Sequence, residues 1–343
     1  MDWQLIFMVI GFSFASYSII ANDAIQTLGT FLASNHNRPW WVLWLFAATI
    51  LTLVLMYGWH THGGDPSYNR LDRIPIPPDG IEWYFIVPPI VILILTRYGV
   101  PVSTTFLTLS VFVASNNPEV IQKMVLKSIL GYGVAFACAF VLARFVLLAV
   151  ERYFLKTHSD DEDKHPIWVI LQWISTGFLW SQWLMQDLAN IFAFTPRKLD
   201  LTTMIAATGW ICALLAIIFY IRGGSIQRIV TSKRNSNDIR SATIIDFQYG
   251  VILYIFKNLN NIPMSTTWVF LGLLAGREIA LCLGIDRKIK KKTYANVGRD
   301  TIKLILGLAV SIALAFGLPA IEKLIDAPAE EPATEQMLQS GEF

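Results

Sequence analysis

Two short stretches carry the residues best suited to chemistry. Asn22-Asp23-Ala24-Ile25-Gln26 lies past the middle of the first long apolar run, and Gln186-Asp187-Leu188-Ala189-Asn190 lies in a later one. Each reads amide-Asp-x-x-amide, and the two aspartates are 164 residues apart. An ionised aspartate in hydrocarbon costs at least a few kcal/mol, so each needs a partner, an ion or a cavity. Carboxylates and amide carbonyls are hard oxygen donors suited to Na+. A second motif also occurs twice: Pro101-Val102-Ser103-Thr104-Thr105 and Pro263-Met264-Ser265-Thr266-Thr267, 162 residues apart. Pro presets a first helical turn and a hydroxyl caps it, so each copy marks a helix N-terminus. Such an end offers free N–H groups and the positive end of the helix dipole to an anion. One copy alone reads as a cap. Two copies, each with an aspartate at matching offset, read as a cation-coupled anion site.

The elements that must position these residues are membrane helices. The 343-residue chain is 54% hydrophobic and 15% charged, with a mean hydropathy of +0.50. That composition excludes an ordinary soluble domain. Pro39 to Tyr57, Lys127 to Leu148, Pro166 to Met185, Thr202 to Ile221 and Thr301 to Ile321 reach or approach the roughly 20 residues that cross a bilayer. Residues 2–34 read as a helix broken at Ala21 to Gln26, and residues 166–194 as a second helix broken at Gln186-Asp187. Trp83 to Thr96 with Pro101 to Ala114, and Phe247 to Phe256 with Pro263 to Leu283, form two hairpins whose arms either turn back inside the membrane or cross it. Residues 60–82 and Arg222 to Asp246 are expected as polar loops. His60, His62 and Asp65 read as loop polar groups rather than metal ligands. Cys138, Cys212 and Cys282 read as packing residues. The run from Trp3 carries into the Asp23 motif without a basic start, so no cleaved leader is expected. The net charge of +2 lies in loops and implies no nucleic-acid partner.

The order of these parts repeats. Lys127-x-Ile129-Leu130-Gly131 returns as Lys303-x-Ile305-Leu306-Gly307, so three landmarks recur in sequence. The expected organisation is a first transmembrane repeat at 1–150, a charged cytoplasmic linker at 151–165, a second repeat at 166–322 and an acidic disordered tail at 323–343. Three long spans and a hairpin per half place the halves in opposite orientation, the inverted-repeat plan of secondary transporters. Five basic residues between Arg222 and Arg240, and seven between Arg287 and Lys303, mark the cytoplasmic side, which leaves both termini outside. The fold class is thus an all-α polytopic membrane protein of two inverted repeats, each with a broken helix and a helical hairpin, expected in the plasma or inner membrane.

These motifs resemble the PiT family of inorganic phosphate transporters, which includes related sulfate permeases. That family carries a duplicated Gly-Ala-Asn-Asp-Val-Ala-Asn motif, matched here by Ile20 to Gln26 and Leu184 to Asn190, and a duplicated Pro-Val-Ser-Thr-Thr-His motif, matched by Pro101 to Phe106 and Pro263 to Trp268. The chain departs from it at Ile20 and Leu184 (Gly in the family), at Met185-Gln186, at Gln26, and at Phe106 and Trp268 (His in the family). The resemblance implies secondary active transport of phosphate or a similar tetrahedral oxyanion such as sulfate, coupled to Na+ or H+, with no enzyme activity and no cofactor. It places Asp23, Gln26, Ser103, Thr104, Thr105, Asp187, Asn190, Ser265, Thr266 and Thr267 at the substrate, and Asn22, Asp23, Gln186 and Asp187 at the cation. The bilayer is the other expected partner, and a homodimer is left open. A non-transporting anion-binding protein on the same fold is the alternative. An intramembrane aspartyl protease also uses two aspartates, but its Tyr-Asp and Gly-x-Gly-Asp patterns are absent, because Asn22 and Gln186 precede the aspartates here. Arg97 and Lys257 fall at the hairpin tips, where they either attract the anion or sit at the interface, and Arg144, Arg277 and Glu278 read as paired or snorkelling charges.

Overall fold

An apolar chain in lipid must satisfy its backbone internally, and helices do this within one segment. A computed structural model describes residues 3–72, 74, 76–77, 80–114, 118–147, 166–224, 227, 231, 238–259, 263–283 and 287–325. The described residues are mostly helical, with no strand among them. The first half contains α1 (Trp3–Ile19), a π-helical turn (Ile20–Ala24), α2 (Ile25–Ser34) and α3 (Trp40–Thr61). A 3-10 turn (Trp83–Ile86), α4 (Val87–Arg97), α5 (Thr104–Ala114) and α6 (Pro118–Val141, then a π turn Leu142–Leu147) complete it. The second half contains α7 (Pro166–Phe192), α8 (Leu201–Tyr220), α9 (Ile239–Leu259), α10 (Thr266–Cys282) and α11 (Arg287–Ile325).

Among the described residues, six helices are long and apolar enough to span a membrane, namely Trp3–Ser34, Trp40–Thr61, Glu119–Phe145, Leu201–Tyr220, Ile239–Asn258 and Lys291–Ile325. The chain is a multi-pass, all-helical membrane protein. With 11 residues each, α4 and α5 rise only about 16 Å, too short to cross about 30 Å of hydrocarbon. The first hairpin therefore turns back inside the bundle.

Three expectations are corrected. The helix around Asp187 is not broken: α7 runs 27 residues through Gln186-Asp187. Leu184, Gln186 and Ala189 are better helix formers than Ile20, Asn22 and Ile25 at the matching places of the first copy, where the helix passes through a π turn. α7 falls outside those six because Gln172, Ser175, Thr176, Gln182, Gln186 and Asp187 lower its mean hydropathy; at 27 residues it is long enough to cross the bilayer. The loop expected to run to Asp246 ends earlier, since α9 starts at Ile239 and carries Asp246 inside it. The basic stretch after Arg287 is the first part of α11. The linker at 151–165, most of the 222–238 loop and the tail from 326 lie outside the described residues.

Packing exchanges the two halves. α1 packs on α4 as α7 packs on α9; α5 packs on α11 as α10 packs on α6; α3 and α8 pair with each other. Each hairpin's second arm is thus clasped by the last helix of the opposite half. The α6–α10 contact is backbone-close: a Cβ on Gly272 would lie 2.5 Å from the Tyr132 carbonyl oxygen, and one on Gly276 2.2 Å from that of Phe136. Indole N–H groups tie the centre, Trp180 to the Ala47 carbonyl (2.9 Å) and Trp44 to that of Cys212 (3.0 Å).

Candidate functional site

The N-termini of α5 and α10 meet where the π turn and α7 come together. Ser103 Oγ accepts from the Phe106 N–H (3.1 Å), and Ser265 Oγ accepts from the Trp268 N–H (3.3 Å), so both serines act as N-caps. Both aspartates are 1% exposed, and the other ten predicted site residues are also buried. All twelve come together in one region.

The hydrogen bonds repeat with the halves exchanged. Thr104 donates to the Asp23 carboxylate, and its counterpart Thr266 donates to that of Asp187 (2.6 Å). Thr105 crosses to Asp187 (3.1 Å), and its counterpart Thr267 crosses to Asp23. Thr105 also reaches the Met264 carbonyl (3.4 Å), as Thr267 reaches that of Val102 (3.1 Å). Each aspartate therefore receives one hydroxyl from its own half's hairpin and one from the other. The two Ser-Thr-Thr motifs and two aspartates form one closed lattice.

The amides behave differently. Asn22 Nδ2 donates to the Val102 carbonyl (3.0 Å), pinning the π turn to the hairpin. Gln26 Nε2 donates to Asn22 Oδ1 and Asp23 Oδ1 (both 3.3 Å), and Asn190 Nδ2 reaches Thr104, Thr105 and Asp187 (3.1–3.3 Å). Gln186, the counterpart of Asn22, is one methylene longer and turns away to the carbonyls of Leu253 (3.1 Å) and Gln182 (3.4 Å). Gln26 Oε1, Gln186 Oε1 and Asn190 Oδ1 are buried and receive no hydrogen bond. An unpaired buried acceptor costs free energy comparable to its desolvation, about 1–3 kcal/mol. Amide oxygens left without a donor are hard oxygen atoms of the type a cation such as Na+ takes. Phe106 and Trp268 stack edge to face at 6.2 Å, and neither offers a hydrogen-bond acceptor in place of the histidines of the family the motifs resemble.

The hairpin tips differ. Arg97 is exposed, whereas Lys257 is half-buried with its Nζ 3.0 Å from Met185 Sδ. Arg277 is buried with Nη1 3.6 Å from Glu278, a structural pair, and Arg144 lies exposed beside the Phe145 ring.

Sequence reasoning missed three site neighbours. Asp246, assigned to a loop end, sits between α2 and α7 and accepts from Thr30 and Thr176 at 2.5 Å each. Tyr249 donates to the Thr266 carbonyl (3.0 Å), one turn along the same face of α9. The spacing of Asp246, Tyr249 and Leu253 as one buried helical stripe was the available signal. Arg70, from the 62–82 loop, is 3% exposed and acts electrostatically on Asp187. No periodicity marks it.

No protein-family model and no curated protein sequence matches this chain. Among solved structures, one titled "The sodium-dependent phosphate transporter" is similar, with a TM-score of 0.60 over 95% of this chain and 100% of that one, at 17% identity. At that identity the likeness establishes shared architecture across nearly the whole chain: the protein has the fold of that transporter.

Proposed function

We propose that this protein is a secondary active transporter of phosphate or a similar tetrahedral oxyanion, coupled to Na+ or H+ through Asp23 and Asp187. The observation that carries the reading is the exchanged threonine–aspartate lattice with its three unpartnered amide oxygens. The solved transporter of the same fold supports it.

The lattice suggests how the coupling works. An oxyanion needs hydrogen-bond donors, and the hydroxyls of Thr104, Thr105 and Thr266 are held on the aspartates. Two buried carboxylates repel a dianion, so the anion site is poor while they carry full charge. A cation taken by Asp23 or Asp187 with the orphan amide oxygens, or a proton on either carboxylate, weakens the hold on those hydroxyls. They then turn to the anion alongside the free N–H groups at the α5 and α10 N-termini. Cation binding thus precedes and permits anion binding. Because each aspartate is bonded to both hairpins, loading the site changes contacts in both halves at once, the condition for rocking one repeat against the other. On this reading, the positive-inside rule puts the ends of α8 and α11 nearest Arg222 and Arg287 in the cytoplasm and both termini outside.

The test is uptake of labelled phosphate and labelled sulfate into proteoliposomes under a Na+ gradient, a proton gradient, or neither. Uptake driven by one gradient and abolished in Asp23→Asn and Asp187→Asn is expected. Full cation-dependent uptake by both variants would sink the mechanism. Thermal stabilisation by the anion without uptake would favour the non-transporting alternative.

A further inference from the structure

The 62–74 loop is fastened to the end of the bundle far more tightly than a surface crossover requires. Trp59 Nε1 donates to the Leu199 carbonyl (2.8 Å), Leu199 N–H to that of Gly64 (2.9 Å), and Arg197 Nη2 to that of Ile74 (2.9 Å). Within it the Asp65 carboxylate accepts from Ser67 N–H (2.7 Å), Ser67 Oγ (2.9 Å) and Asn69 N–H (2.8 Å). These bonds hold Tyr68 and Asn69 at φ values of 58° and 57°, two successive non-glycine residues in the left-handed region. Such a pair is strained and persists only where its surroundings enforce it. The residue it delivers inward is Arg70.

Arg70 is 3% exposed, and its Nε and Nη2 have no hydrogen-bond partner. It lies within electrostatic range of Asp187, Lys127 and Lys257. Burial draws its pKa down to about 10 against the opposing pull of Asp187, so the guanidinium keeps its proton at neutral pH. A simple counter-ion would place its fork on the carboxylate. Here the Asp187 oxygens are occupied by Thr105, Thr266 and Asn190 instead. Arg70, Lys127 and Lys257 thus gather basic groups at the Asp187 end of the lattice.

We propose that Arg70, backed by Lys127 and Lys257, is an oxyanion-binding residue that completes the anion site between the 62–74 loop and Asp187. This rests on the oxyanion-transport reading and adds a cation to it. The ligand class is a tetrahedral dianion, whose paired oxygens match the planar guanidinium fork, while the two lysines contribute charge without geometry.

The experiment measures phosphate and sulfate affinity by titration calorimetry on purified protein in Na+, Na+ binding alone by thermal shift, and uptake KM in proteoliposomes. Arg70→Gln is expected to weaken the anion Kd and raise KM at least 10-fold, with Na+ binding unchanged within twofold. Arg70→Lys, which keeps charge but loses the fork, should fall between the two. An unchanged anion Kd in Arg70→Gln overturns the proposal, as does a loss of Na+ binding with anion affinity intact, the mark of a counter-ion. Should Arg70→Gln fail to fold, Arg70→Lys decides: an anion Kd equal to wild type overturns the proposal. Wild-type protein that binds neither anion sinks the transport reading itself, and the Arg70 assignment with it. An Arg70→Gln protein with wild-type affinity sinks only the assignment.

Discussion

Thr266→Val tests the lattice at one atom. Valine keeps the branched shape and removes the hydroxyl that donates to Asp187 at 2.6 Å, deep in the bundle. A hydrogen bond to a charged group is worth about 1.5–3 kcal/mol, and Asp187 keeps only the longer bonds from Thr105 (3.1 Å) and Asn190 (3.3 Å). Protein without ligand should therefore lose about 1.5–3 kcal/mol of stability. Saturating Na+ should restore much of it if the cation takes over the carboxylate. Phosphate binding should not recover, because the missing hydroxyl is one the anion uses. At 1.4 kcal/mol per tenfold, the same range corresponds to roughly 10- to 150-fold in affinity. Thr104→Val removes the mirror-related bond to Asp23 and should produce the same pattern. Thr266→Ser keeps the hydroxyl and should stay near wild type. The assay is thermal unfolding in detergent with and without Na+, beside uptake kinetics. A Thr266→Val protein with wild-type stability and a phosphate KM within twofold of wild type would refute the reasoning, whatever its Vmax.

Two further substitutions test the scaffold. Gly276→Ala should cost about 1–3 kcal/mol in thermal unfolding, because its Cβ would meet the Phe136 carbonyl oxygen at 2.2 Å and backbone cannot swing aside; Gly317→Ala, with nothing within 4 Å, is the control and should be neutral or stabilising. Thr176→Val leaves the buried Asp246 with Thr30 as its remaining hydroxyl donor, so a loss of about 1–3 kcal/mol is expected, read by urea or thermal unfolding and largely relieved in Thr176→Val/Asp246→Asn.

The legible and the illegible parts of this protein differ in kind. That these twelve residues gather in one region was readable because duplication repeats both residue type and spacing, an Asp motif and a Ser-Thr-Thr motif at offsets of 164 and 162. The helices were readable because bilayer length sets a minimum apolar run. The state of the Asp187 helix was not, since the first copy suggested a break that the better helix formers of the second copy close. Asp246 was misplaced because a charge was taken as the end of a helix, whereas Thr30 and Thr176, 216 and 70 residues away in sequence, satisfy it. Arg70 depends on a pair of left-handed residues held by Asp65, and that geometry leaves no periodic trace.

These departures have a common consequence. The core lattice is close to symmetric: two aspartates, four threonines and two capping serines exchange with the halves. A perfectly symmetric site in a two-half transporter would give its two access states equal free energy, so the resting state must be set by what surrounds the lattice. The surroundings are where the halves differ. Asn22 pins a π turn to the first hairpin, while Gln186 bonds to α9 and leaves α7 straight. Asp246 locks α9 to α2 and α7. A single buried carboxylate held by two hydroxyls at 2.5 Å is worth a few kcal/mol, and a shift of that size moves a two-state equilibrium by more than tenfold. The bias between access states is therefore expected to reside in the α2–α7–α9 contact rather than in the ligand site. Asp246→Asn should change which face of the site is accessible to a cysteine reagent while leaving phosphate affinity of the occupied state intact. A variant that loses affinity with unchanged accessibility would place Asp246 in the binding site instead.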